Sequence, residues 1–141
     1  MTATYVNRAT ATVSWPGRIL SGLAAAFIAF DGILHILKPA PVVEAFTQLG
    51  YPLRLSVGLG VLELVFTLIY VIPRTAFVGA LLLTAYLGGA IATHLRLLDP
   101  WLTHTLFPVW LGALAWTGLL LRDAPLRSVL LAWPRRELAA A

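Results

Sequence analysis

The sequence predicts an all-α integral membrane protein: a four-helix bundle with a short interfacial helix between its first and second spans. Of the 141 residues, 60% are hydrophobic and 11% are charged, which is too little charge for the surface of a soluble domain of this length. Apolar runs of about 20 residues recur along the chain, and this is the length of a membrane-spanning helix. The prediction is therefore one membrane domain, with no room for a separate soluble one.

The first span is predicted at about residues 18–37. Ser14, Trp15 and Pro16 suit its start, because they supply a hydroxyl cap, an interfacial aromatic ring and a proline for the first turn. Lys38 and Pro39 end it. A cleaved signal peptide is the alternative, but the apolar run continues to residue 37 and no small-residue cleavage site follows.

An amphipathic segment follows at residues 42–49. Val42, Phe46 and Leu49 fall on one side of a helix there, and Glu44 and Gln48 on the other. This pattern predicts a short helix that lies in the membrane interface.

Three further spans are predicted at about residues 53–72, 75–98 and 103–121. Each stops where a proline or a charged residue interrupts the apolar run. Residues 122–141 then form a basic tail, which we expect on the cytoplasmic membrane surface.

Basic residues predict the orientation, since cytoplasmic loops of membrane proteins are rich in Lys and Arg. Seven arginines fall on one side of the predicted spans and three basic residues on the other. We therefore expect a multi-pass protein of the cell membrane with both termini cytoplasmic. The first set is Arg8, Arg18, Arg74, Arg122, Arg127, Arg135 and Arg136, and the second is Lys38, Arg54 and Arg96. The net charge of +4 thus reflects topology and lipid contact, and we expect no nucleic-acid partner.

Two acids lie inside these apolar runs, Asp31 in the first and Glu63 in the second. A charge in the middle of a bilayer is costly, so intramembrane acids usually face a bundle interior and are candidates for function. Small and polar residues recur at steps of three and four through both acids, which places both on helix faces that contact protein. The first stripe is Ser21, Ala24, Ile28, Asp31 and His35, and the second is Ser56, Gly60, Glu63, Thr67 and Tyr70.

Four more residues complete the set of candidates for ligand binding or proton relay. His35 lies one turn after Asp31, Tyr86 and His94 share one side of the third span, and His104 opens the fourth. With both termini inside, all these groups fall in the outer half of the bundle, with Glu63 near the midplane. A cavity open to the outside would bring them together.

Structural roles are the alternative for each candidate. Asp31 and His35 could simply bond to each other, Glu63 could bond Thr67 or the backbone, and the other histidines could meet water at the membrane surface. A metal site built from Asp31, His35, Glu63 and His94 was considered, but the sequence has no close ligand spacing of the kind found in zinc motifs. We therefore expect no metal. The chain also contains no cysteine, which excludes thiol relays.

The chain resembles the DoxX-like family of small four-span membrane proteins across roughly residues 15–125. The matching segments are residues 15–20, 38–39, 49–52, 59–64, 70–74, 88–94, 99–100 and 119–122. At Asp31-Gly32 and His35 the chain departs from the pattern of many relatives. The resemblance implies a four-helix membrane bundle. Some relatives are subunits of quinone-linked oxidoreductase complexes, and others look like assembly factors or chaperones for membrane or periplasmic partners.

Two functions follow as expectations. The first is a non-catalytic accessory or assembly subunit of a membrane complex, favoured by small size and the lack of a redox motif. The second is a subunit of a quinone-linked oxidoreductase, with a quinone or proton pocket in the outer half. The sequence leaves enzymatic activity open, and a quinone is the only cofactor that either function suggests. A transporter is less favoured, because four short spans contain no inverted repeat.

Overall fold

The described part of the chain is built from helices alone. A computed structural model describes residues 14–130, and all regular structure in that range is helical. The all-α class is therefore confirmed. The α-helices are α1 (Trp15–Leu37), α2 (Ala40–Leu49), α3 (Leu55–Val71), α4 (Ala76–Leu97) and α5 (Phe107–Arg122), with a π-helical stretch at Trp101–Thr105 and further helical residues at 124–130.

Helix α1 begins and ends where its sequence predicts. The Ser14 hydroxyl accepts a hydrogen bond from the Gly17 N–H at 3.3 Å, which caps the first turn. At the other end Lys38 adopts a left-handed conformation with φ 51°, and Pro39 follows. The short helix α2 closes in the same way, at Gly50 with φ 70°.

The region predicted as a fourth span is divided in two. Trp101–Thr105 is π-helical, and the regular helix α5 begins only at Phe107. Pro108 lies in the first turn of α5 and has no N–H to donate to the carbonyl four residues earlier, so the regular α-helical hydrogen bonding is interrupted at this point. Counted together, Trp101–Arg122 is long and apolar enough to cross a membrane, as are α1 and α4. Helix α3 is apolar but shorter, with 17 residues.

The four longer helices pack as a closed ring. Helix α1 contacts α3 and α5, and α4 contacts the same two helices from the other side. Lys38, Arg54 and Arg96 follow or precede helix ends at one end of this ring, here called the upper end. Arg18, Arg74 and Arg122 mark the other, here called the lower end. The residues predicted beyond 130 in the basic tail, and Arg8, lie outside the described residues.

The lower end is closely packed around Tyr70. Its side chain is fully buried, and its hydroxyl donates to the Ala115 carbonyl at 2.7 Å and lies 2.9 Å from the Ser21 hydroxyl. Arg122 donates to the Tyr70 carbonyl at 2.8 Å. Small side chains fill the remaining space, so the helices approach closely there. The buried apolar cluster consists of Ala24, Ala25, Ile28, Tyr70, Ala76, Ala80, Leu83, Ala115 and Leu119.

Helices α1 and α3 approach closely at Gly32 and Gly60. A Cβ atom on Gly60 would collide with the Gly32 carbonyl and lie 2.9 Å from the His35 Cβ atom. A Cβ atom on Gly32 would lie 3.0 Å from the Gly60 carbonyl and 3.1 Å from the Glu63 side chain. These glycines therefore bring His35 and Glu63 to the same place between the helices.

Replacing Gly60 with alanine should separate α1 from α3. We expect Gly60→Ala to lower the free energy of unfolding by about 1–3 kcal/mol, because the added methyl group has no space. Thermal unfolding in detergent, followed by circular dichroism, measures the effect. The matched control is Gly58→Ala on the same helix, where an added Cβ atom meets no other atom within 4 Å. Equal stability of the two variants would contradict the close approach.

Candidate functional site

The upper half of the bundle contains a cavity of about 660 Å³. Its walls come from α1, α3, α4 and α5, and α2 covers it from the side of the upper end. Most lining side chains are aliphatic or aromatic, and among the described residues that line it none is Lys or Arg. The six candidates predicted from the sequence all line this cavity: Asp31, His35, Glu63, Tyr86, His94 and His104.

Asp31, His35 and Glu63 form one group, here called the acid–histidine cluster. The His35 Nδ1 atom lies 3.1 Å from the Glu63 Oε2 atom, within hydrogen-bond distance, and 3.8 Å from the Asp31 Oδ2 atom. Each residue offers one ligand atom, and the three atoms all lie within 4.8 Å of one another. The cluster can hold a proton or a cation between two carboxyl groups and an imidazole.

Exposure differs sharply across the acid–histidine cluster. The Glu63 side chain is 2% exposed, that of His35 is 17% exposed, and that of Asp31 is 49% exposed. Glu63 therefore forms the buried base of the cluster, and Asp31 is its most exposed member.

The position of His35 is fixed from three sides. The Ser56 hydroxyl donates to the His35 carbonyl at 2.5 Å, and the close approach at Gly60 holds the backbone of α1 against α3. The Phe46 ring of α2 meets the imidazole edge to face, with ring centroids 5.6 Å apart. The imidazole is therefore held with its Nδ1 atom toward Glu63.

Glu63 does not use the partner that a purely structural role would suggest. The Thr67 hydroxyl, one turn further along α3, is buried and has no hydrogen-bond partner among the described residues. Glu63 instead contacts His35 on a different helix. This contact joins α1 to α3 at the wall of the cavity.

His94 and His104 form a second group at the upper end. The His94 Nδ1 atom lies 2.7 Å from the Asp99 Oδ2 atom, and the His104 Nδ1 atom lies 2.8 Å from the Thr103 hydroxyl. The two imidazole rings meet with centroids 5.5 Å apart. Both line the large cavity and also a smaller one of about 280 Å³ beside it. They are not members of the acid–histidine cluster, although they share its cavity.

Helix α2 is the part of the site that the sequence did not predict. The sequence predicts a short interfacial helix with an apolar side, and in the structure the residues of that side, Val42, Phe46 and Leu49, line the cavity, with Phe46 only 3% exposed. Arg96 on α4 donates to the Leu49 carbonyl at 2.7 Å and holds the end of α2 in place. The amphipathic pattern was the available signal, and it does not distinguish an apolar side that meets lipid from one that meets a cavity.

Tyr51 and Asp99 were also missed as residues of this region. The Tyr51 hydroxyl lies 2.8 Å from the Thr93 hydroxyl and bridges the segment after α2 to α4, and Asp99 orients His94. Both residues follow helix ends, where sequence periodicity does not indicate in which direction a side chain points.

Comparison with known proteins identifies one family. A family model, described as the DoxX-like family, matches residues 19–118. This range includes every described residue that lines the large cavity. No curated protein matches the chain, and no solved structure matches it.

Proposed function

The chain belongs to the DoxX-like family, and on that premise we propose that it is a non-catalytic accessory subunit of a membrane complex that binds a lipid-soluble ligand in its upper cavity. A quinone, or a molecule with a similar head group, is the ligand class that we propose. One observation carries the proposal: seven ionisable or phenolic side chains, the six candidates and Tyr51, line a single cavity whose other walls are mostly apolar.

The size and lining of the cavity support a small-molecule site. Ligand pockets typically enclose about 300–1,000 Å³ and have apolar walls with a few polar groups that orient the ligand. The upper cavity, at about 660 Å³, falls within that range. It contains two groups of ionisable side chains, the acid–histidine cluster and the histidine pair His94 and His104, so a ligand with polar atoms at two positions could contact both groups. The polar residues Tyr51, Tyr86, Thr93 and Thr103 also line it.

The chemistry of these groups suits a quinone. Quinone carbonyls accept hydrogen bonds, which an imidazole N–H or the Tyr86 hydroxyl can donate. The hydroxyls of the reduced form donate, and the carboxyl groups of Asp31 and Glu63 can accept. A firmly anionic ligand is disfavoured, because no Lys or Arg occurs among the described lining residues.

The accessory role is supported by glycines that make no close helix–helix contact within the bundle. An added Cβ atom on Gly22, Gly58 or Gly88 would meet no atom within 4 Å. Small residues on the outside of a membrane helix allow a neighbouring helix to approach closely. A membrane protein that packs against these helices, or a periplasmic protein that docks at the upper end, is the partner class that we propose.

We further propose that the chain is a single four-span domain of the cell membrane with both termini cytoplasmic. The 17 residues of α3 extend about 25 Å, and spans of about 17–25 residues occur. The upper end, with Lys38, Arg54 and Arg96, would then face outward. The arginine-rich lower end and the basic tail would face the cytoplasm, as the distribution of basic residues favours.

Quinone binding is tested on protein purified from membranes in mild detergent. Solvent extraction and mass spectrometry should find a quinone in near-stoichiometric amount. Glu63→Gln should reduce the bound amount or the affinity for added quinone by at least about tenfold, since a hydrogen bond to a charged group contributes about 1.5–3 kcal/mol. The matched control is Glu44→Gln, because Glu44 lies on α2 but is exposed and does not line the cavity.

The same preparation separates the two parts of the proposal. If another polypeptide co-purifies and no quinone is found, the accessory role stands and quinone binding is refuted. Quinone bound equally by wild type and Glu63→Gln would place the ligand elsewhere. A preparation with neither quinone nor partner polypeptide would overturn both parts.

The topology is tested by cysteine accessibility, because the chain contains no cysteine of its own. Single cysteines at positions 2 and 140 should resist a membrane-impermeant thiol reagent in intact cells and react after permeabilisation. A cysteine in place of Gln48, on the exposed side of α2, should react in intact cells. Labelling of the termini from outside would contradict the orientation.

A further inference from the structure

The acid–histidine cluster has the composition and spacing of a metal site. Two carboxylate oxygens and one imidazole nitrogen, from Asp31, Glu63 and His35, converge from two helices. Asp31 and His35 lie on one helix and Glu63 is 28 residues beyond His35 in the chain, so the sequence lacks the close ligand spacing of zinc motifs. Close ligand spacing in sequence is therefore not needed for these three groups to meet in space.

The distances between the ligand atoms fit a first-row divalent ion. Zinc binds nitrogen and oxygen ligands at about 2.0–2.2 Å, which puts the ligand atoms of a tetrahedral site about 3.3–3.6 Å apart. The His35 Nδ1 atom lies 3.1 Å from the Glu63 Oε2 atom and 3.8 Å from the Asp31 Oδ2 atom. These two values lie on either side of the ideal separation, and the Asp31 and Glu63 oxygens lie within 4.8 Å of each other, so the side chains would have to adjust to complete the geometry.

The charge of the cluster supports the same inference. Two carboxyl groups face one imidazole in an apolar cavity, and no Lys or Arg occurs among the described residues that line it. Two ionised carboxylates would leave a negative charge uncompensated in a medium of low dielectric constant. A divalent cation cancels both carboxylate charges at once, and neutral imidazole supplies its Nδ1 lone pair as the third ligand.

We propose that Asp31, His35 and Glu63 bind one divalent transition-metal ion of the zinc class. Imidazole favours such ions over Mg²⁺ and Ca²⁺, which prefer sites built from oxygen ligands alone. Three protein ligands leave a fourth coordination position, which faces the cavity and is free for water or a ligand. This inference goes beyond the proposed function and does not depend on quinone binding.

The test uses the full-length protein in detergent, stripped with a chelator and dialysed against Zn²⁺. Elemental analysis should find one zinc per chain. Substitution of Co²⁺ should give the visible absorption of a tetrahedral cobalt site with mixed nitrogen and oxygen ligands. His35→Gln, Glu63→Gln and Asp31→Asn should each lower zinc affinity by more than about 100-fold, since loss of outer-shell partners alone costs 10–100-fold.

Two controls separate this site from others on the same protein. His94→Gln removes a histidine of the second group, and Glu44→Gln removes an exposed acid, so both should keep the stoichiometry of one zinc. Asp31 is half exposed, so Asp31→Asn is the variant least expected to disturb folding. Circular dichroism and gel filtration check that each variant is folded.

Two results would overturn the site itself, and a third would overturn its assignment to the zinc class. One is absence of stoichiometric zinc in the folded wild-type protein. The other is zinc binding that survives His35→Gln but is lost in His94→Gln, which would assign the ion to the histidine pair. Magnesium binding with the same affinity as zinc would overturn the assignment to the zinc class. The quinone content of the same samples tests the proposed function and does not bear on whether the zinc site exists.

Discussion

The contact between His35 and Glu63 depends on how closely α1 approaches α3. Gly32 and Gly60 lack side chains at the crossing, so the two backbones meet and the imidazole of one helix reaches the carboxyl group of the other. A buried carboxyl group in an apolar bundle needs a polar partner, and this contact supplies one. Asp31, one turn before His35 on α1, and the Phe46 ring, which meets the imidazole edge to face, complete the surroundings of this contact.

The bundle is packed at its lower end and contains a cavity in its upper half, and small side chains account for the packed end. Around Tyr70 the facing residues are mostly alanine, glycine and serine, so the helices close and the tyrosine fills the space between them. In the upper half, α1 and α3 still meet at Gly32 and Gly60, and the cavity lies between these helices, α4, α5 and α2. The rigid lower end can therefore hold four helices in register while the upper end leaves room for a ligand.

The sequence predicted the helices well, and it also predicted that their polar stripes face the interior of the bundle. Both predictions rest on a periodicity of three and four residues, which is a direct consequence of helix geometry. This is why all six candidates line one cavity. The pairings were less predictable. Whether His35 bonds Asp31, four residues away, or Glu63, on another helix, depends on the crossing of α1 and α3. The role of α2 as a cover and the pairing of His94 with Asp99 depend on loop conformation, which periodicity does not specify.

The central claim is that His35 and Glu63 interact in the folded protein, and a double-mutant cycle measures this directly. His35→Gln, Glu63→Gln and the double variant are unfolded in detergent, and the coupling free energy is obtained from the four stabilities. We expect a coupling of about 1–3 kcal/mol, because directly contacting residues in one polar network show energies of 0.5–3 kcal/mol. A coupling of zero, with additive effects of the two substitutions, would contradict the account.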